Sequence, residues 1–424
     1  MWTLLLTFFV ASAGTSGKIS LDGHVLFKAP PAPVSQVTGA STFSVQMKDK
    51  ISEAWRWKFE PELRTRGPGE LSEVDIEWNA RESWLEYRSG EFRLQGGSLI
   101  KAWEGTDGVN PMDLATQKIL TDPLRSENLG SFGLWAQWNH SPVTLEALWI
   151  PDQTRSVLPG DHAGWWPREN EIPLEQDDAR LQVPENPEFE ILPRKDLNDA
   201  YKNNFGARLR GQFETVDLSL AFFEGATQTP ALTPDQRGLL VGVDPDGRFV
   251  ILLDKPIRIQ PVDDRRRSAA IGFNYTAKSF IFRTAARYDT AVQKDKSRLN
   301  DTTQAVAGLE KTVELGSRTF ILLGQYAWGR ESERTGTAVS VQSLFADAYL
   351  FGVRGVWSDT TSLQLAVVYS ASTKSSFEQF DLERRLSDNW VLRTGADIFQ
   401  GPSNTLIGLW RDQSRLRVGG DFIF

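Results

Sequence analysis

Apolar and polar residues alternate with a period of two along most of the chain. In the segment that starts at Asn204, for example, Phe205 and Leu209 alternate with Arg208 and Arg210. Because successive side chains of a β-strand point to opposite faces, this pattern predicts strands with one apolar and one polar face. No segment of the sequence has a long helical period, so the pattern predicts an all-β protein.

The alternating segments number eighteen, an even number such as single-chain bacterial barrels have. A hairpin at Asp412 would make nineteen and leave the two chain ends at opposite rims, so we treat Gly401 to Asp412 as a loop. A mispaired first hairpin around Pro30 and Pro31 would instead make sixteen. The predicted strands lie at 18–27, 40–49, 53–65, 72–88, 91–101, 130–139, 142–150, 203–214, 216–224, 267–277, 279–289, 302–312, 317–328, 345–357, 362–371, 375–386, 389–400 and 413–424.

The connections between these strands are short on one side and long on the other. Tight turns such as Ser89-Gly90 and Ser387-Asp388 alternate with long loops near 102–129, 151–202 and 225–266. A soluble sandwich, the alternative, would have a turn every ~8–12 residues. The asymmetry predicts a transmembrane antiparallel up-and-down β-barrel with short periplasmic turns and long extracellular loops. Closing the sheet also satisfies the backbone hydrogen bonds that lipid cannot.

The N-terminal segment is typical of a secretory signal peptide. Met1 to Val10 reads MWTLLLTFFV and is followed by Ala11-Ser12-Ala13, an A-x-A arrangement that predicts cleavage after Ala13. A membrane anchor is the alternative, but the apolar run is much shorter than the ~20 residues of a spanning helix. We therefore expect a signal peptide at 1–13 and a single outer-membrane β-barrel domain at 14–424.

The C-terminal strand carries a recognisable ending. Leu416, Val418, Gly420, Phe422 and Phe424 share one face, and the chain finishes on phenylalanine. This ending resembles the strand by which the barrel-assembly machinery of Gram-negative bacteria recognises outer-membrane barrels, with Phe422 and Phe424 as the assembly signal. The mature chain as a whole resembles porin-type barrels, which implies the cell outer membrane as location, its lipid as surroundings and passive movement of small solutes.

A narrower resemblance covers about 25 residues. The sequence Arg93-Leu94-Gln95-Gly96-Gly97, then Trp103-Glu104-Gly105, then DGVNPMDL from Asp107 to Leu114, is similar to a signature of large uncharacterised outer-membrane barrels. That family's pattern begins Gly-Arg-Gln and continues Trp-Gly, whereas this chain has Leu-Gln-Gly-Gly and Trp-Glu-Gly. The resemblance implies a strand followed by a loop and fixes no substrate.

The amino-acid composition argues against several kinds of functional site. The chain has no cysteine and only three histidines, His24, His140 and His162, so we expect no metal site, no cofactor and no catalytic residues. Neither a G-x-S-x-G elbow nor an H-E-x-x-H motif is present in the sequence, and we predict that the protein is not an enzyme. The net charge of -8 argues against nucleic acid as a partner.

The distribution of charge gives the clearest functional hint. The segment 151–202 holds 12 acidic against 6 basic residues, while the inward faces of the later strands are rich in arginine. Guanidinium pairs well with carboxylate, so such a wall would favour anionic or zwitterionic solutes. A mutually paired lining without selectivity is the alternative. The predicted pore-lining residues are Arg208, Arg210, Arg283, Arg287, Arg354, Arg393, Arg415 and Arg417.

The long loop 151–202 is the predicted constriction. It is rich in proline and contains Trp165-Trp166 near its centre. Loops of this length are usually functional or disordered. We expect it to narrow the pore, with Trp165 and Trp166 stacking on solutes or, alternatively, anchoring the loop against the wall.

Two functions therefore remain open. The first is a porin-like channel for passive diffusion of small hydrophilic solutes; the second is a plugged surface barrel that acts as a receptor or structural protein. A lateral-release transporter for apolar compounds would require an apolar tunnel, which the charged inward faces disfavour. The sequence leaves the oligomeric state open.

Overall fold

The computed structural model describes residues 14–28, 35–66, 75–160, 163–166, 171–172, 179–182, 184, 188–235, 238–245, 247–293, 301–316, 318–331, 347–402, 405 and 407–424. The predicted signal peptide and His162 lie outside these residues. Within them, no helix is long and apolar enough to cross a membrane.

Eighteen antiparallel strands form one closed barrel, which confirms the predicted fold class and strand number. They are β1 Gly14–Leu26, β2 Val37–Lys50, β3 Trp55–Phe59 with Pro61–Arg66, β4 Asp75–Ala80 with Ser83–Ser89, β5 Phe92–Leu99, β6 Ser131–His140, β7 Val143–Asp152, β8 Lys202–Gln212, β9 Val216–Ala226, β10 Ile257–Ala277, β11 Phe280–Ala291, β12 Thr302–Leu315, β13 Arg318–Glu331, β14 Ala348–Ser358, β15 Thr361–Ser370, β16 Ser375–Arg385, β17 Trp390–Gln400 and β18 Arg415–Ile423.

The first and last strands close the barrel. β1 pairs with β18 from Lys18 opposite Ile423 to Leu26 opposite Arg415. Gly17 and Phe424 exchange two backbone hydrogen bonds of 2.8 and 3.0 Å, so the two ends of the described chain meet at the rim with the short turns. Closure leaves no sheet edge in the lipid layer, which is what a strand-built span requires.

The outer surface is apolar, as the alternation predicts. Leu21, Trp78, Leu209, Phe351 and Val418 are all exposed and belong to the same outward-facing set. In water such a belt would be an aggregation hazard, whereas in a bilayer it faces acyl chains.

β3 and β4 are each interrupted where the sequence predicts one continuous strand. Pro61 has no backbone N–H to offer the sheet, and the N–H of Glu60 instead donates to Oγ of Ser83, 3.0 Å away. The two breaks face each other, and Lys58 bridges them with ion pairs of 2.6 Å to Glu60 and 2.7 Å to Glu82.

β10 begins ten residues earlier than the predicted strand at 267–277. Its first part, up to residue 264, pairs with segments 189–191 and 195–197 of one long loop and with 231–234 of the next. Phe189, Leu253, Ile257 and Trp166 form a small apolar core among these segments. The two long loops therefore fold together beyond the extracellular end of the barrel.

Candidate functional site

The inner wall of the barrel carries the charged members of the alternating pattern. On β8, Arg208 and Arg210 face inward, opposite to the exposed Phe205 and Leu209. All eight predicted pore-lining arginines lie on such inward positions of β8, β11, β14, β17 and β18.

Seven of these eight arginines have carboxylate partners. Arg208 contacts Glu146 (Nε–Oε1 3.1 Å), Arg210 contacts Asp217 (3.0 Å), Arg287 contacts Asp289 (2.7 Å), Arg393 contacts Asp421 (2.6 Å), Arg415 contacts Asp397 (2.7 Å), Arg417 contacts Asp381 (2.6 Å), and Arg283 lies 3.7 Å from Asp107 and from Glu310. Arg354 is exposed and has no ion pair with any described residue. Most of the lining is thus neutralised locally, and Arg354 stands out.

Residues 100–130, which we call the inward loop, fold into the barrel. Trp103, Met112 and Leu114 are almost completely buried, although they lie between strands. Gly206 on β8 and Gly272 on β10 make room for them: a Cβ at Gly206 would come within 2.9 Å of the Trp103 ring, and one at Gly272 within 3.2 Å of the Met112 sulfur. The inner wall is therefore shaped to receive this loop.

The tip of the inward loop reaches the far wall. Asp107 lies 3.7 Å from Arg283 on β11. Gly108, at a φ of +72°, lies over the Gln325 side chain on β13, where any Cβ would clash at 2.8 Å. Val109 packs with Val306 on β12 and Leu350 on β14. The loop thus crosses the lumen and narrows it.

The returning part of the inward loop, residues 122–125, is held in place by ion pairs with the barrel wall. A short 3-10 helix, Pro123–Arg125, is capped by Asp122. Arg125 donates to Asp397 on β17 at 2.8 Å, and Asp122 accepts from Arg415 on β18. Burial alone would raise the pKa of Asp122, but Arg415 and Arg125 outweigh it and hold that pKa below its ordinary value.

The base of the inward loop joins a cluster of rings and charges. Glu146 accepts from the indole N–H groups of Trp103 at 3.3 Å and Trp135 at 3.1 Å, besides its pair with Arg208. Nζ of Lys101 lies 3.7 Å from the centre of the Trp135 ring. Burial lowers the pKa of Lys101 to about 8, against the opposing pull of nearby carboxylates such as Glu146.

Trp165 and Trp166 are held by protein partners. Trp165 packs edge-on against Trp410, 5.2 Å between ring centres, and its carbonyl accepts from the Trp410 indole at 2.9 Å. Trp166 stacks on Phe189 and donates to the carbonyl of Gly160 at 2.6 Å. This arrangement fits the anchoring alternative, while stacking on a solute stays a prediction.

The predicted assembly signal lies at the closing seam. Phe422 packs against Trp390 at 5.0 Å between ring centres and against Phe424 at 6.0 Å. The Phe424 ring covers Gly17, where a Cβ would come within 2.1 Å of it. Recognition by the assembly machinery stays a prediction.

The two described histidines occupy structural positions. His24 contacts the Thr38 hydroxyl, and His140 lies 3.0 Å from Glu91 in a turn. Among the described residues, no three histidine, cysteine, aspartate or glutamate side chains are grouped so as to hold a metal ion.

Sequence reasoning did not identify the inward loop as a segment that narrows the lumen, and the predicted constriction by the loop 151–202 stays a prediction. The signals of the inward loop are apolar residues, Trp103 and Met112, inside a loop, and glycines on inward positions of strands. Neither signal states which strand the loop contacts, because that depends on the closed barrel.

The chain is similar in fold to several solved structures. No protein-family model matches the chain, and no curated protein matches it. Among solved structures, OpdL of Pseudomonas aeruginosa has a TM-score of 0.54 at 10% identity, over 98% of this chain and 99% of that one. A BenF-like porin from Pseudomonas fluorescens Pf-5 has a TM-score of 0.53 at 8% identity, over 97% of each chain.

The chain has the fold of a porin-type outer-membrane β-barrel. Wzi of Escherichia coli, an outer membrane protein described as a carbohydrate-binding β-barrel involved in group 1 capsule assembly, also matches, with a TM-score of 0.52 at 9% identity over 100% of this chain and 87% of that one. At such identities the likeness concerns the fold. Together with the apolar outer belt, it agrees with the predicted place in the Gram-negative outer membrane.

Proposed function

We propose that the barrel is a passive channel for small hydrophilic solutes and that it favours anionic and zwitterionic solutes over cations. The observation that carries the proposal is the inner wall itself. It bears ionised side chains around the barrel, and within the described part of the chain residues 100–130 narrow it and are anchored at the base of the loop, at its tip and at its returning part. A charged, hydrated wall suits polar solutes and excludes apolar ones.

The charge balance of the wall supports a modest preference for anions. Arg287 is buried and Arg208 mostly buried in its carboxylate pair, so both offer little charge to a passing solute. Arg210, Arg283 and Arg354 are partly or fully exposed to the lumen, and Arg354 has no partner in the described part of the chain. Arg393 is exposed to a similar degree but pairs with the nearly buried Asp421 at 2.6 Å, so Arg210, Arg283 and Arg354 are the arginines through which we test selectivity.

The experiment replaces these three arginines and leaves the buried pairs intact. Breaking a buried pair costs about 3–5 kcal/mol and would confuse selectivity with stability. We expect the triple variant Arg210→Gln, Arg283→Gln, Arg354→Gln to lower the anion/cation permeability ratio, measured as the reversal potential of a planar bilayer under a KCl gradient.

The matched control is Arg318→Gln. Arg318 is the first residue of β13, at the rim, and stacks over Trp357, 3.7 Å from the ring centre. The substitution therefore removes one arginine without changing the lumen. The control should keep the native ratio. An unchanged ratio in the triple variant would overturn the proposed selectivity while leaving the channel itself in place.

A plugged barrel that binds a partner through its loops is the second candidate. The observation that favours it is the contact between Trp165, in the loop 151–202, and Trp410, in the loop that precedes β18. This contact joins two loops at the extracellular end of the barrel. Uptake of small solutes into liposomes separates the two candidates. The absence of enzymatic activity stays a prediction.

A further inference from the structure

The inner wall has a hollow on the periplasmic side of the inward loop. It measures about 250 Å³ and spans β13 to β16. Its lining includes Ile321, Arg354, Val356, Gln364 and Glu383. This volume is below the ~300–1,000 Å³ of drug-sized pockets and suits a solute of amino-acid size.

Strand register fixes where the hollow lies. Arg354 on β14 pairs with Gln364 on β15, and Ser362 on β15 pairs with Glu383 on β16, two residues nearer the periplasmic rim. Leu350, which a Cβ on Gly108 of the inward loop would approach to 3.2 Å, precedes Arg354 by four residues. At a rise of ~3.3 Å per residue, the hollow begins roughly 13 Å below that contact.

The hollow presents two opposite charges that form no ion pair with the described residues. Neither Arg354 nor Glu383 has an ion pair or side-chain hydrogen bond with any described residue, and both are exposed to the lumen. Their charged neighbours have partners of their own. Asp381 pairs with Arg417 at 2.6 Å and Arg393 with Asp421 at 2.6 Å, while Glu310, which attracts Arg354 electrostatically, lies 3.7 Å from Arg283. Arg354 and Glu383 are thus free to bind a solute.

Beside Arg354 the lining of the hollow is apolar, while Ser362 and Gln364 of β15 lie between Arg354 and Glu383. Val356 faces the lumen with 54% of its surface exposed, which is unusual among the charged and polar positions of this wall. On β13, Ile321 pairs with Arg354 and Thr319 pairs with Val356, so Ile321 and Val356 are both next to Arg354. An apolar group of a solute would cover Val356 and remove its surface from water.

We infer that this hollow is a binding site for a zwitterionic α-amino acid with an apolar side chain, an inference that rests on the proposed channel. Arg354 binds the carboxylate with its planar donors, Glu383 accepts from the ammonium, and the side chain covers Val356 and Ile321. A solute that lacks either charge leaves one of the two groups unmatched, so the site discriminates zwitterions from simple anions and from simple cations.

Three related probes test this arrangement. L-Leucine carries both charges, 4-methylpentanoate lacks the ammonium, and isoamylamine lacks the carboxylate. Saturation-transfer NMR on the detergent-solubilised full chain measures binding without requiring an open pore. We expect leucine to bind about tenfold more tightly than either analogue, as charge-assisted hydrogen bonds imply.

Two variants identify the groups. Arg354→Gln should weaken the binding of leucine about tenfold, to the affinity of isoamylamine, because the carboxylate of leucine then contributes little to binding. Glu383→Gln should bring leucine level with 4-methylpentanoate. The controls Arg318→Gln and Asp388→Asn, which lie at the rim and in a turn, should keep the native preference.

The result that overturns the inference is leucine binding no better than both analogues, or a preference that survives both variants. Neither result bears on the ionic conductance measured in the bilayer experiment. The proposed binding site would then be wrong, and the proposed channel would be unaffected. If the bilayer experiment shows no conductance while leucine still binds more tightly than both analogues, the proposed channel is wrong and the proposed binding site stands.

Discussion

The Lys101 ammonium lies over the Trp135 ring and donates to Oε1 of Gln95 at 2.5 Å. Burial lowers its pKa to about 8, so the residue changes charge just above neutral pH. It stands at the base of the inward loop, close to the Glu146 cluster. The charge of the lumen at this point is therefore set by pH, unlike that of the arginines, which stay protonated.

We expect the anion preference to fall as pH rises from 7 to 9, with a midpoint near 8. Above its pKa Lys101 is neutral, and the wall loses one positive charge. Reversal potentials at a series of pH values measure the step. The variant Lys101→Met keeps most of the length of the side chain without its charge and should show no step; a step that persists in this variant would assign the titration to another group.

At the scale of elements, the inward loop depends on its charged return segment. Arg125 and Arg415 both bind Asp397, which is fully buried, and Asp122 completes the group. The lowered pKa of Asp122 means that the folded state keeps this carboxylate charged. Its contribution is present above the ordinary pKa of about 4 and is lost only as pH falls through the lower folded value.

We expect Arg125→Gln to raise single-channel conductance. The substitution removes a donor to buried Asp397 and loosens the return of the loop, so the tip at Asp107 spends less time across the lumen. Single-channel recordings in 1 M KCl measure the change. Lys28→Gln, which breaks only an exposed pair with Asp412, is the control. Equal conductance in both variants would mean that the return segment does not hold the constriction.

At the scale of the whole molecule, the barrel could be predicted from the sequence because lipid imposes a simple rule. Every second residue of a spanning strand faces acyl chains, so strands such as Lys202–Gln212 are visible as alternation. The rule fails for the first part of β10, which pairs with loop segments beyond the barrel and has no lipid-facing side.

The lumen was less predictable, because its geometry depends on contacts between distant parts of the chain. The arginines could be placed on the inner face by parity. Their partners, such as Asp107 for Arg283, lie on a loop whose path depends on Gly206 and Gly272 on other strands. The sequence therefore predicted a charged wall, whereas its near-complete pairing and the unpaired Arg354 required the structure.

The central claim is an open, narrow pore, and liposome swelling tests it most directly. Proteoliposomes containing the purified chain, placed in isotonic solutions of small sugars and amino acids, should swell faster than protein-free liposomes, and the rate should fall as solute size increases. Swelling no faster than that of protein-free liposomes, for every solute, would contradict the channel and leave a plugged barrel.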